Sequence, residues 1–392
     1  MITNAHVRAW QAHRQGLDGL LTGKTSSEIL SISGWARSVA GVSPYLTFFS
    51  RAGISREQVD VDVAALEIHE LPSARGCTYI LPRADFALGL KLAQGFHGDR
   101  KTADKLGVTA KEIERLCEKV LAALAKGPLD PDGLREAAGN AVRNLGEEGK
   151  KKGLTTTLPV ALEQLQTSGH IHRVSLNGRL DQQRYRYQLW RPNPLSEFTL
   201  STEEAYTELA RRFFHWIGTA TIAEFQEFAG IGVKAAKDAV APLKLEPLGS
   251  EDGRMIPPSN RPDFAAFQVP LKPCYSLVGS IDSMFQMRRE ISSLLDPEDA
   301  RRPTFEHGPK GLGSHAILDR GRVVGLWEYD PEHSTIAWSA FIKPDKQLRD
   351  AVAKTEGYVR DQLGDARSFS LDTPKSRAPR IAALRAGSPL AS

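Results

Sequence analysis

His170 and His172 stand two residues apart in a segment whose alternation reads as a strand, so both imidazoles would face one side. Two histidines on one face are a start on a metal site, but no third ligand accompanies them, and no metal is expected. Cys77, Cys117 and Cys274 lie far apart, without CxxC or Cys/His ligand spacing, and read as reduced core residues. Glu67, His69 and Glu70 form a charged cluster just before Leu71-Pro72. Groups of this kind could act as acid and base in an enzyme that extrudes a base from a stack. By composition alone the cluster reads as a solvated loop. No Gly-x-Ser-x-Gly, Walker A or HExxH pattern occurs, and no cofactor is expected.

The second kind of chemistry is ionic. Between Arg143 and Trp190 eight Lys/Arg (Arg143, Lys150, Lys151, Lys152, Arg173, Arg179, Arg184 and Arg186) face four acids, Glu147, Glu148, Glu163 and Asp181. That half-domain therefore matches the whole chain's formal excess of +4. Four of these arginines flank or follow Asn177-Gly178, where cations would neutralise phosphates and release counterions. Lys234 and Lys237 lie opposite an apolar helix stripe, beside Asp238. They suit either a phosphate contact or a solvated face. Asp319-Arg320-Gly321-Arg322 could hold two arginines at a hairpin tip, or be an ordinary charged turn.

The elements that must position these groups follow from punctuation and periodicity. Residues 1–102 read as mostly helical. Cys77, Tyr79 and Leu81 alternate in a strand, and a helix opens after Pro82. In 103–192, Thr109-x-x-Glu112 caps a helix and Asp130-Pro131 opens another. Gly146 to Gly153 reads as a loop. Leu158, Ala161, Leu162 and Leu165 then mark the buried face of a third helix. Asn177-Gly178 between two strand-like runs signals a hairpin. Three helices and a hairpin make a winged-helix order.

In 201–270, Ser201-x-x-Glu204 and Thr221-x-x-Glu224 cap two helices. Gly230-Ile231-Gly232 turns into a third, lined by Val233, Ala236, Val240 and Leu243. Residues 271–368 carry a three-strand meander within 314–341 and a last helix over about 344–364. The tail, 369–392, has few large apolar residues and is expected to be mobile. The expected fold is α+β, mainly α: tandem winged-helix (helix-turn-helix) units with a C-terminal β-rich domain.

With 41% hydrophobic and 25% charged residues, the composition is that of a globular chain with a real core. No apolar run reaches membrane-spanning length, and Met1 to Leu21 lacks the apolar centre of a secretory signal. A cytoplasmic monomer is expected.

Several segments together resemble a known bacterial family. They are Tyr45 to Arg51 after Pro44, the run Arg75-Gly76-Cys77-Thr78-Tyr79-Ile80-Leu81-Pro82, the Gly153 to Gly169 helix with its wing through Trp190, and Asp319 to Asp330. Their order and spacing are similar to the winged-helix family that includes the AlkZ-like and YcaQ-like DNA glycosylases, which unhook bulky or interstrand alkylation crosslinks. The resemblance spans residues 3 to 345. It implies three tandem winged helices in a C-shaped arrangement, and duplex DNA, damaged or crosslinked, as the partner.

One departure matters. Those glycosylases carry Gln-x-Gln or Gln-x-Asp shortly before the Pro-Tyr segment, to position the water that attacks the sugar C1′. Here the pair falls on Ala36 and Ser38, or on Arg37 and Val39 if a one-residue gap intervenes. Neither choice supplies a glutamine or carboxylate, so excision by the usual route is not expected. Arg37 is left to packing or to a phosphate. An active glycosylase would need a relocated acid or base, for which Glu67, His69 and Glu70 are the candidates. A winged-helix module that binds protein is the remaining class.

Overall fold

A computed structural model describes residues 3–39, 41–96, 98–181, 184–250, 252–302, 312–367 and 371–387. About 51% of residues are helical and 15% lie in strands, so the mainly helical α+β expectation holds. The first part of the chain runs α1 (Asn4–Arg14), α2 (Ser26–Ser33), β1 (Ala36–Arg37), α3 (Ser43–Ala52), α4 (Arg56–Ala64), β2 (Ile68–Pro72), β3 (Thr78–Pro82), α5 (Phe86–Ala93) and α6 (Gly98–Lys105). Its strands form an antiparallel sheet in the order β1-β3-β2. Alternation sends Ala36, Ile68 and Ile80 into one core with Tyr45 and Phe48. The other face sends Leu71, Tyr79 and Leu81 into a second core with Trp35, Trp216 and Phe228.

The next part holds α7 (Ala110–Leu124), α8 (Pro131–Ala138), α9 (Gly146–Lys151), α10 (Leu158–Thr167) and the hairpin β4 (Ile171–Ser175) and β5 (Tyr185–Leu189). The Thr109 hydroxyl caps α7 by accepting from the Glu112 amide. Asp130 caps α8 in the same way. Leu162 and Leu165 are buried in this unit's core, and Trp190, also buried, joins the core beneath β3. The third part repeats the order: α11 (Thr202–Ile217), α12 (Ile222–Ala229), α13 (Val233–Val240), then the short pair β6 (Glu246–Pro247) and β7 (Met255–Ile256), followed by α14 (Arg261–Ala266). Both expected capping boxes, at Ser201/Glu204 and Thr221/Glu224, are formed. The last part has β8 (Tyr275–Val278), α15 (Ser283–Gln286), β9 (His315–Asp319), β10 (Arg322–Asp330) and β11 (Thr335–Ala340), with α16 (Lys346–Tyr358) and α17 (Pro374–Arg385) against them. These four strands form a second antiparallel sheet, β11-β10-β9-β8.

Five local expectations are corrected. Glu67 to Glu70 is not a solvated loop: Ile68, His69 and Glu70 are buried in β2, because β3 supplies a ladder for their backbone. Gly146 to Gly153 contains α9, whose Gly149 fits against the Leu154 carbonyl where a Cβ would lie only 2.4 Å from that oxygen. The hairpin does not close at Asn177-Gly178. Its ladder ends at Ser175↔Tyr185, and the loop beyond folds onto the first unit. There the Leu180 amide donates to the Tyr45 hydroxyl at 2.8 Å, and Leu180 is buried beside Tyr45. Val233 is 56% exposed rather than inward. Within the tail, α17 is an ordered, packed helix. Its anchors are arginines: Arg377 is 1% exposed and Arg380 Nε reaches Glu328 Oε1 at 3.0 Å. Residues 369–370 and 388–392 of the expected tail lie outside the described residues.

One buried ion pair ties the units together. Arg51 of α3 makes two parallel bonds to Asp282, each 2.8 Å, with both side chains almost wholly buried. Its Nη2 also donates to Gln15 Oε1 of α1 at 3.1 Å and to Ser283 Oγ at 2.8 Å. Gln15 Nε2 donates in turn to the Trp216 carbonyl of α11 at 2.8 Å. Removing one partner leaves the other charge buried and uncompensated. Asp282→Ala is therefore expected to lower unfolding stability by about 3–5 kcal/mol, read from urea denaturation. A loss below about 1 kcal/mol, the scale of exposed pairs, would contradict it.

Candidate active site and cationic surface

Strand β2 delivers Glu70 to the face of the first sheet that also bears Ala36 and Ile80. Ser38 follows β1, with its amide donating to the Thr78 carbonyl at 3.0 Å, which extends the ladder by one residue. From there Ser38 Oγ donates to Glu70 Oε1 at 2.5 Å. The other carboxylate oxygen, Oε2, meets Arg173 Nη2 of β4 at 3.3 Å. The Arg173 guanidinium stacks 4.8 Å over the Tyr185 ring of β5. Burial, and secondarily the Glu70 charge, push the Tyr185 hydroxyl up to about 12, so it stays protonated at neutral pH. Burial likewise raises the Tyr187 hydroxyl.

Beside this quartet sits a histidine pair. His172 Nδ1 and His69 Nε2 are 3.1 Å apart, and His172 Nε2 is 2.9 Å from Gln188 Nε2. Trp190 closes over both rings at 4.9 and 5.7 Å. Burial pushes His69 down to about 3, helped by the nearby His172 and Arg173. Burial also pushes His172 down to about 4. Both rings are neutral at pH 7, so each offers one donor and one acceptor. Together His69, Glu70, His172, Arg173, Tyr185 and Gln188 help line a cavity of about 160 Å³.

Of the sequence candidates, Ser38, His69, Glu70 and Arg173 thus converge. Ala36 is buried on the Glu70 face. Arg37 turns to the opposite face, over the Tyr79 ring. Val39 is half-buried. Glu67 is exposed and paired with Arg83 at 3.1 Å, away from the cluster. His170 is exposed and bonded to Ser168, so the two histidines do not share a site. Tyr185 and Gln188 had no separate signal in the sequence beyond the alternation of β5, which puts Tyr185 and Tyr187 on one face.

The cations divide into two groups. Arg179 is held by Asp181 and donates to the Leu363 carbonyl at 3.2 Å. Arg320 pairs with Asp319 at 2.7 Å, and Arg322 with Asp299 at 2.6 Å and Asp296 at 2.9 Å. Lys150, Lys151, Lys152, Arg184, Arg186, Lys234 and Lys237 are exposed. Among the described residues Asp330, Glu332 and His333 are a set of three potential metal ligands close together, on an exposed turn far along the chain from this cluster.

The model of the AlkZ-like DNA glycosylase family matches residues 40–369, and the chain belongs to that family. Among solved structures it is similar in fold to the Streptomyces sahachiroi DNA glycosylase AlkZ, with a TM-score of 0.71 and 19% identity, covering 93% of this chain and 98% of that one. No curated protein matches the chain. No helix among the described residues is long and apolar enough to cross a membrane.

The histidine pair gives a pH dependence with a defined sign. In the unfolded chain both rings take up protons near pH 6.5, whereas the folded rings resist protonation to about 3 and 4. The unfolded state therefore binds more protons as pH falls, and the folded state loses stability below about pH 6.5. Each ring should cost about 2 kcal/mol between pH 7 and pH 5. Urea midpoints at the two pH values measure this, and His172→Gln should flatten the slope. An unchanged slope in that variant would mean that the pair is protonated in the fold.

Proposed function

We propose that this protein binds duplex DNA through tandem winged-helix units and releases alkylated bases from it, with Glu70 standing in for the glutamine pair. The winged-helix reading is supported by the repeated order of helices followed by a two-stranded hairpin, at α7–β5 and at α11–β7. Exposed cations, Arg184 and Arg186 on the hairpin and Lys150 to Lys152 before α10, supply phosphate contacts.

The observation that carries the catalytic part is the 2.5 Å bond from Ser38 to Glu70. A carboxylate on β2, with β3 between, bonds Ser38, one of the positions on which the pair falls. Alkylation on a ring nitrogen makes the base cationic, so it departs neutral without an acid. Water then adds its oxygen to C1′ while the C1′–N bond breaks. Glu70 accepts the water's proton, and its charge faces the developing oxocarbenium ion. Ser38 fixes the carboxylate's orientation. Arg173 holds the second oxygen.

The test is formation of alkali-labile sites in an alkylated duplex. The unmodified protein is expected to exceed the no-enzyme control. Glu70→Gln should lower the single-turnover rate about 10²–10⁴-fold with duplex affinity kept. Activity undiminished in Glu70→Gln would remove Glu70 from the chemistry. Binding without any base release would leave a DNA-binding protein only, and bulky or crosslinked duplex is the substrate on which to establish that.

A further inference from the structure

Strand β1 presents a second group on the face opposite Glu70. The Arg37 guanidinium lies 5.3 Å over the Tyr79 ring. Its Nη1 is buried without a hydrogen-bond partner, and so is the hydroxyl of the fully buried Tyr79. Arg75 is the cation whose charge acts on it. Burial, and after it the repulsion from Arg75, pulls Arg37 below its usual range, against the attraction of Tyr79. Arg75 donates to Gln286 Oε1 at 3.4 Å, while its Nε has no partner. Among the described residues neither arginine has a carboxylate within ion-pair distance. Several other buried or part-buried arginines do: Arg8 meets Asp296, Arg173 meets Glu70 and Arg212 meets Asp85, while Arg14 and Arg288 are held by neutral acceptors instead.

Two like charges held together without an acid are unfavourable unless an anion joins them. The backbone also holds Arg75 in place, at φ 58° and ψ 17°, a left-handed conformation rare for a side chain with a Cβ. Gly230 packs on it so tightly that a Cβ there would lie 2.6 Å from the Arg75 side chain. Two residues later Gly232 opens α13 with no side-chain cap. The exposed Lys234 follows in its first turn.

We propose that Arg37 and Arg75 together bind one phosphodiester of the duplex backbone, the two guanidiniums taking its two non-bridging oxygens. This rests on the DNA-binding reading above. It gives Arg37, adjacent in sequence to Ser38 but on the opposite face of the sheet, a backbone contact separate from the Ser38–Glu70 site. Guanidinium forks suit phosphate geometry, and lysine would keep the charge but lose the paired bonds.

The experiment measures duplex affinity against salt for the full chain, for Arg37→Gln with Arg75→Gln, and for Arg37→Lys with Arg75→Lys. The glutamine pair should weaken binding alike across sequences and reduce the salt slope by about one. The lysine pair should keep the slope and lose affinity several-fold. Thermal midpoints of the lysine pair report whether the fold is kept if the glutamine pair does not fold. A parent protein that binds no duplex overturns the function and this site together. A parent that binds, with slope unchanged in the glutamine pair and affinity unchanged in the lysine pair, overturns the site alone. A third arm titrates inorganic phosphate. Thermal stabilisation of the parent by phosphate, lost in the variants while their duplex slope is unchanged, would assign the pair to a free anion and overturn the duplex contact.

Discussion

Arg51 and Asp282 are 231 positions apart in sequence, and their bidentate pair is the constraint on which the positions of the other parts depend. A fork-to-fork ion pair fixes two elements in angle as well as distance. Here it fixes α3 against the segment that begins α15, and through Gln15 it also fixes α1 and the end of α11. Trp216, whose carbonyl Gln15 holds, packs its ring, tilted, 5.3 Å from that of Trp35, the residue that leads into β1. The edge strand carrying Arg37 and Ser38 is thus set by a chain of contacts that starts in the buried pair. A buried ion pair is a poor source of net stability and a good source of specificity, since every alternative packing leaves a charge unpaired.

On the proposed reading, the carboxylate site is a function relocated within a sheet. Ala36 and Ser38 offer no acceptor strong enough for a water proton, yet Glu70 lies two strands away on the same face, across β3. A side chain as long as glutamate can span that width. What keeps it there is a set of neighbours chosen for opposite properties. Arg173 supplies positive charge to one oxygen, whereas His69 and His172 next to it are neutral because they are buried. The cavity therefore holds the Glu70–Arg173 pair and the Asp181-bound Arg179 among neutral donors, acceptors and rings.

Much of the helical frame is legible in the letters. Capping boxes at Ser201 and Thr221, proline at the first turn of α8 and the stripe Ile113, Leu116, Val120 mark helices by local rules. Elements that depend on distant partners are not legible. β2 looks like a polar loop because its polar side chains are satisfied by Ser38, Arg173 and His172, residues that no local pattern connects to it. α17 looks like a mobile tail because two arginines, with Leu384 as its one deeply buried apolar side chain, anchor it. The hairpin tip looks free because Asn177-Gly178 suggests a tight turn, while Leu180 is drawn to a tyrosine 135 residues away. In the site itself, the sequence named His69 and Glu70 as one cluster, and Arg173 and Ser38 each for another reason. Only the sheet register brings them to Ser38.

The claim that Ser38 and Glu70 act as one unit is tested most directly by a double-mutant cycle on the single-turnover rate of base release from alkylated duplex, with Ser38→Ala, Glu70→Gln and the pair. If Ser38 works by orienting the Glu70 carboxylate, its removal matters only while that carboxylate is present, so the double variant should be no slower than Glu70→Gln alone. Rate losses that simply add in free energy would contradict the account, because they would mean that the two side chains act on the reaction independently.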